Sequence, residues 1–134
     1  MKPFLVVLLV SVAILCASPM VAHHGPFMYD LERTITVRGH IAEVRWANPH
    51  VEILIQGEDE TGAEVQWLFE SLPPFQLERE GLSVTDFGLQ REVEIEGYPA
   101  REPGRISAWA RSIRIEDGPA QRLLEQGKFT RIPQ

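Results

Sequence analysis

The amino-acid sequence predicts a mainly β fold, a small barrel of five strands with one short helix between the third and fourth strands. Three observations favour it. Apolar residues recur at every second position in five separate runs, and glycine or proline follows most of these runs. A proline-rich stretch separates the third run from the fourth. An open sheet or a sandwich of the same strands is the alternative.

Residues 1–22 are predicted to form a secretory signal peptide. A lysine near the start precedes an apolar run from Phe4 to Ala17, which is too short to span a bilayer comfortably. Ala22 supplies a small residue at the preferred cleavage site. Cleavage after Ala17 or Ser18, or an uncleaved anchor, is the alternative. We therefore expect an exported protein, periplasmic or secreted, with no membrane attachment after cleavage.

The charge of the mature chain limits its partners. The full sequence has 13 Lys and Arg against 19 Asp and Glu, and removal of residues 1–22 leaves 12 against 19, a net charge of −7. The nucleic-acid backbone attracts clustered Lys and Arg, so this balance argues against a nucleic-acid partner. The only cysteine, Cys16, lies in the predicted signal, which leaves no disulfide or thiol chemistry.

The first two strands are predicted on either side of the stretch Trp46-Ala47-Asn48-Pro49-His50. The first run alternates from Ile35 to Ile41 and then slips out of phase before Val44, as a bulge would produce. Gly39 makes a sharp bend easier. Because Pro49 has no amide hydrogen, the first strand ends before it, and the second alternates from Val51 to Ile55.

The third strand and the helix are predicted next. A hairpin loop from Glu58 to Gly62 leads to a run alternating from Val65 to Phe69. Ser71 is expected to cap a short helix whose first turn holds two prolines and which Gly81 ends. The residues expected to close one end of the barrel are Leu72, Phe75 and Leu82.

The last two strands are predicted around Val93–Ile95 and from Ile106 to Glu116. In the fifth strand Arg111 breaks the alternation of its apolar residues. Beyond a turn at Gly118, a short helix is expected from Ala120 to Gln126, followed by a loose tail.

This order of elements is that of the OB-fold, a five-stranded Greek-key barrel. The chain therefore divides into four parts: a signal peptide (1–22), an N-terminal arm (23–33), an OB-like β-barrel domain (34–117), and a short helix and tail (118–134).

Five short motifs are spread along the mature chain. They are Ala22-His23-His24, Trp46-x-Asn48-Pro49-His50, a strand with Trp67 and Glu70, a proline-rich helix closing on Gly81, and Glu116-Asp117-Gly118. Together they resemble a family of small exported bacterial proteins known only as a domain of unknown function. The resemblance covers nearly the whole mature chain, and Gly25 stands where the family is expected to have serine. It implies export and a small β-barrel, and it implies no established activity.

The histidines predict a copper site. If cleavage follows Ala22, His23 offers both an α-amine and an imidazole, with His24 beside it and His50 as a further nitrogen. Nitrogen-rich sites suit Cu(II), and Met28 would add a soft thioether for Cu(I). The alternative is a flexible arm and a corner in which His50 only donates to a backbone carbonyl. His40 is expected to be solvated.

A ligand surface is the second candidate site. OB-folds bind ligands on their second and third strands and adjoining loops, which draws attention to Trp46, Asn48 and Glu70. Trp67 and Trp109 are expected in the core. Glu70 as a general acid would need a partner base, and no nucleophile or phosphate-loop motif is present in the sequence, so no catalytic residue is predicted.

The sequence thus favours an exported, non-catalytic binding module for a small ligand or copper. The alternatives are a structural or protein-interaction domain without metal, whose partner is another exported protein, and, more remotely, a copper enzyme.

Overall fold

The computed structural model describes residues 26–59 and 61–123. The predicted signal peptide, His23, His24 and the tail from residue 124 lie outside the described residues. The elements in chain order are a 3-10 helix Pro26–Met28, β1 Ile35–Arg45, β2 Glu52–Glu58, β3 Glu64–Glu70, α1 Pro74–Arg79, a second 3-10 helix Val84–Phe87, β4 Glu92–Pro99, β5 Ser107–Ile115 and β6 Gln121–Arg122.

Five of the strands close into a barrel. β1, β2 and β3 form an antiparallel meander, and β1 also pairs with β4, which in turn pairs with β5. Parallel pairing of Leu68–Glu70 with Ser107–Trp109 joins β3 to β5 and closes the ring. The predicted mainly β, OB-fold-like barrel with a short helix between its third and fourth strands is therefore confirmed.

β1 is long because it pairs with two neighbouring strands, β2 and β4. Its pairing with β2 shifts register between Ile41 and Glu43, so Ala42 is an extra residue on the bulged strand. This confirms the slip predicted after Ile41. Within β1, Gly39 lies opposite Gly57, and a Cβ built on Gly39 would overlap the carbonyl oxygen of Gln56.

The core fills the inside of the barrel with alternating residues from all five strands. Trp109 belongs to it, as predicted, at 3% exposure. Two core residues, Tyr29 and Leu123, lie outside the range 34–117 expected for the barrel. The largest fully buried side chains include Ile41, Ile53, Ile55, Phe69, Leu77, Ile95, Ile113 and Leu123.

The start of α1 differs from the prediction. The residue before the helix is Pro73, which has no side chain able to cap it. Ser71 is instead fully buried, where its N–H donates to the Val51 carbonyl at 2.9 Å and its hydroxyl to the Leu123 carbonyl at 3.5 Å. The capping role predicted for Ser71 is wrong because this residue extends the pairing beyond the end of β3, where it bonds Val51 just before β2.

The end of α1 follows the prediction more closely. Gly81 adopts φ +87°, the left-handed conformation that favours glycine after a helix. Leu72 and Leu82 are buried, whereas Phe75 is 53% exposed. α1 begins at Pro74, and the residue it buries is Leu77. The prediction that Phe75 closes one end of the barrel is therefore wrong.

The irregularity at Arg111 is a second bulge. Glu96 pairs with Ser112 while Gly97 pairs with Ala110, so Arg111 has no partner on β4 and its guanidinium forms an ion pair with Glu96 on the surface.

The helix predicted from Ala120 is wrong for Gln121 and Arg122, which form β6. They pair with Ile113 and Ser112, and the N–H of Leu123 donates to the Arg111 carbonyl at 3.0 Å. The edge of β5 supplies these hydrogen bonds and a buried place for Leu123.

Among the described residues, none of the helices has the length and apolar character needed to span a bilayer.

Candidate functional site

The Asn-Pro-His corner connects β1 to β2 and holds His50 in one orientation. The Asn48–Pro49 peptide is cis. The Nδ1 atom of half-buried His50 lies 3.1 Å from the Ser71 carbonyl oxygen. A carbonyl only accepts, so Nδ1 carries the proton in this bond, and Nε2 is the ring nitrogen that could bind a metal ion. The imidazole and the Trp109 indole pack in a T-shaped arrangement, with ring centroids 5.0 Å apart.

A pocket of about 300 Å³ lies beside this corner, and we name it the corner pocket. It forms where the ends of β1, β2 and β3 meet the segment before β1 and the loop before β5. Its walls include Met28, Tyr29, Arg45, His50, Glu70 and Arg105.

Charges in the corner pocket are balanced in pairs. Glu52 and Glu70 lie directly opposite each other on β2 and β3. Like charges in such positions repel, so each needs a cation. Arg45 Nε lies 3.5 Å from a Glu52 oxygen, and Arg105 Nη2 lies 3.8 Å from a Glu70 oxygen. The Glu70 side chain is the more enclosed of the two carboxylates, at 17% exposure against 30% for Glu52.

Tyr29 joins the N-terminal segment to this pocket. It is 2% exposed, its ring lies 5.9 Å from that of Trp109, and its hydroxyl hydrogen-bonds with the Glu70 carboxylate. Burial, followed by the bond to Glu70 and the negative charge of Glu70, holds the pKa of Tyr29 well above its ordinary value. Tyr29 is therefore a neutral hydrogen-bond donor at physiological pH.

The sequence prediction missed Tyr29 and Arg105. Tyr29 follows a Gly-Pro pair in a segment with no alternation, and Arg105 lies in a loop. The one sequence feature that could have identified Tyr29 is its side-chain type, because a tyrosine combines a large apolar ring with a hydroxyl that usually finds a hydrogen-bond partner when buried.

The predicted ligand surface of Trp46, Asn48 and Glu70 is divided in the structure. Glu70 lines the corner pocket. Trp46 is half-buried and packs against Phe87 with ring centroids 5.5 Å apart, while Asn48 is exposed, and neither is among the pocket residues. Trp67 is half-buried beside Phe69 at 6.2 Å, so it lies at the margin of the core.

The predicted copper ligands are only partly described. His50 and Met28 both line the corner pocket, whereas His23 and His24 lie outside the described residues. Within residues 26–59 and 61–123, no three His, Cys, Asp or Glu side chains are arranged to hold a metal ion. His40 lines a different depression, on the outer face of the barrel beside Arg38 and Glu94.

The fold and the site define a small OB-fold-like β-barrel with a charge-balanced pocket at its first corner. The chain belongs to a family of unknown function (DUF6152), whose model matches residues 9–109. The resemblance to an unknown-function family is confirmed at that level. Comparisons with curated proteins and with solved structures give no match.

Proposed function

We propose that the mature protein is an exported binding module that holds a copper ion at the corner pocket through His50, His23 and His24. One observation carries the proposal. His50 donates from Nδ1 to the Ser71 carbonyl, which turns the lone pair of Nε2 away from this bond. Metal-binding histidines are commonly held by such a bond to a carbonyl, since it fixes the tautomer and the ring orientation.

The position of Met28 supports the participation of the N-terminal histidines. Met28 lines the corner pocket together with His50, and it follows His24 by four residues. A fully extended chain spans at most about 3.6 Å per residue, so the Cα atoms of His24 and Met28 are at most about 14 Å apart. The side chains add further reach. The chain between Met28 and the two histidines is therefore short enough to keep both of them near the pocket.

The chemistry of these donors favours copper over other metals. His23, His24 and His50 supply imidazole nitrogens, and cleavage after Ala22 would add an α-amine. Nitrogen-rich sets suit Cu(II), and the Met28 thioether would suit Cu(I). The carboxylates of the pocket already have arginine partners, which leaves the histidine nitrogens as the available donors.

Copper titration of the mature protein and of His50→Asn tests the ligand role of His50. Asparagine keeps an N–H donor near the Nδ1 position for the Ser71 carbonyl and has no atom equivalent to Nε2. We expect copper affinity to fall at least about tenfold in His50→Asn. The matched control is His40→Asn, which is expected to bind as the unmodified protein does. Equal affinity in the two variants would contradict the proposal.

A second titration tests the α-amine. Mass spectrometry first establishes the mature N-terminus, and a variant then carries one extra residue before His23. The added residue moves the amine out of chelating position, so weaker copper binding is expected. Unchanged affinity, or a natural start at residue 18 or 19, would exclude the amine as a ligand.

A structural or protein-interaction domain without metal is the second candidate. Exposed apolar side chains between β3 and β4 favour it, since large apolar groups on a surface often mark contacts between proteins. Metal analysis of the purified mature protein separates the two candidates, because only the first requires bound or bindable copper. The exposed residues are Phe75 at 53%, Val84 at 50% and Leu89 at 65%.

A further inference from the structure

The outer edge of β3, on the side away from β2, is paired along only part of its length. Its last three residues, Leu68–Glu70, pair with β5, which begins at Ser107 opposite Leu68. The stretch 64–67 comes before this seam. Among the described residues, no strand pairs with it on the side away from β2. We name residues 64–67 the open edge.

The direction of the backbone groups shows what the open edge presents. In an antiparallel pair, alternate residues direct both N–H and C=O to the partner strand, and the residues between them direct both to the other side. The Leu68 N–H donates to the Ile106 carbonyl at 3.3 Å, away from β2. Glu64 and Gln66 share the orientation of Leu68, so their N–H and C=O groups are available to an added strand.

Apolar side chains of the open edge are incompletely covered. Val65 and Trp67 alternate with the same inward direction as Phe69 and pack at the margin of the core. Phe69, which lies beside β5, is fully buried, whereas Val65 and Trp67 are half-buried. A strand added next to them would remove more of their apolar surface from water, which favours its binding.

The charge at the open edge is not balanced. Glu58 and Glu64 lie directly opposite each other, as Glu52 and Glu70 do at the other end of the same two strands. Glu52 and Glu70 have arginine partners, whereas neither Glu58 nor Glu64 is in an ion pair with any other described residue. Arg38, opposite Glu58 on β1, forms its ion pair with β4 instead. A cation brought by a partner would relieve the repulsion between the two carboxylates.

We infer that the open edge binds an extended segment of another protein, in which basic residues alternate with apolar ones, as a strand added to β3. Glu64 and Gln66 form backbone hydrogen bonds with this segment. Its apolar side chains cover Val65 and Trp67, and its basic side chains lie beside Glu64. A second copy of this chain fits less well, because each open edge would bring carboxylates without a cation. The inference uses no residue of the corner pocket and does not depend on copper.

Hydrogen exchange in a protein of residues 23–134 tests whether the edge is open. The Gln66 N–H faces the open edge, while the N–H of the next residue, Trp67, faces β2. The Gln66 amide should therefore exchange much faster than the Trp67 amide. Equal protection of the two amides would show that the edge is already occupied, and it would overturn the inference.

Peptide binding tests the chemistry of the partner. The probe is a fluorescently labelled peptide of about eight residues in which lysine alternates with valine. One control peptide has glutamate in place of lysine, and the other has proline in place of valine, which keeps the charge and removes backbone donors. The probe should bind at least about tenfold more tightly than either control, measured by fluorescence anisotropy, and should slow exchange of the Gln66 amide. Absence of binding, or equal binding of the proline peptide, would overturn the inference.

Glu64→Lys and Glu78→Lys separate a local effect of charge from an overall one. Both substitutions change the net charge equally, and Glu78 is exposed on α1, away from the open edge. Affinity for the probe should fall about tenfold in Glu64→Lys and about twofold or less in Glu78→Lys. Gln66→Pro removes an N–H that the pairing with β2 does not use, so it should also weaken binding while the circular dichroism spectrum is retained. Equal losses in the two lysine variants would contradict binding at the open edge.

Discussion

Gly39 and Gly57 set the shape of the barrel at the scale of single residues. They face each other across β1 and β2, where a Cβ on Gly39 would lie 2.5 Å from the Gly57 Cα. Real Cβ atoms do not approach backbone atoms so closely. The close approach of β1 and β2 therefore depends on the absence of a side chain at this position.

Gly39→Ala should lower the free energy of unfolding by about 2–3 kcal/mol, because the methyl group overlaps backbone atoms that shift only with the sheet. Urea denaturation measures this. Gly62→Ala is the control, since it has open space around it and only the strain of φ +81°, which costs about 1 kcal/mol. Equal losses in the two variants would show that close approach at Gly39 is unimportant.

Tyr29 predicts a dependence of stability on alkaline pH. Its pKa is raised in the folded protein, so the folded state retains a proton that the unfolded state loses above about pH 10. Its contribution to stability is complete below that pH and is lost as the pH rises towards the folded pKa. The slope approaches about 1.4 kcal/mol per pH unit. Unfolding measured from about pH 9 to 11.5 should show this extra slope in the unmodified protein but not in Tyr29→Phe; parallel curves would disprove it.

At the scale of elements, the sequence predicted those strands and element ends that depend on residues close together in the chain. The alternation of apolar residues identified five strands, and Pro49 and Gly81 identified the ends of β1 and α1 correctly. β6 was not predicted, because a strand of two residues is too short to show an alternation of apolar and polar residues. It exists because the free edge of β5 pairs with it, a contact that depends on the tertiary fold.

Leu123→Ala tests whether β6 belongs to the core. Leu123 is fully buried and hydrogen-bonded to Arg111, so its truncation should lower the free energy of unfolding by about 2–4 kcal/mol. Ile106→Ala, at a position 54% exposed, should cost about 0.5 kcal/mol or less. Thermal or urea unfolding of the two variants side by side provides the measurement. A smaller loss at Leu123 than at Ile106 would contradict the assignment.

At the scale of the whole molecule, the corner pocket combines residues distant in sequence. His50 and Glu70 were found because one lies in a motif and the other ends a strand. Tyr29 and Arg105 were missed, since their importance comes from contacts with Glu70 that closure of the barrel creates. The sequence therefore predicted part of the site, whereas its ion pairs could be recognised only from the folded structure.

The folded unit should extend beyond the range 34–117. Tyr29 and Leu123 are both core residues, and loss of each is expected to cost several kcal/mol against a typical total of about 5–15. A fragment of residues 26–123 should melt cooperatively near the temperature of a protein of residues 23–134. A fragment of residues 34–117 should melt far lower or lack a cooperative transition. Circular dichroism distinguishes these results, and equal melting temperatures would show that both ends are dispensable.

The parallel seam between β3 and β5 is expected to form later in folding than the meander of β1, β2 and β3. The meander of β1, β2 and β3 pairs neighbours in sequence, whereas the seam joins residues about 40 positions apart, at Leu68 and Ser107. Such a distant contact costs more chain entropy to form, so the seam should close after the meander. Substitutions that strengthen it should then slow unfolding without accelerating folding. This seam would then determine how long the folded state survives once formed.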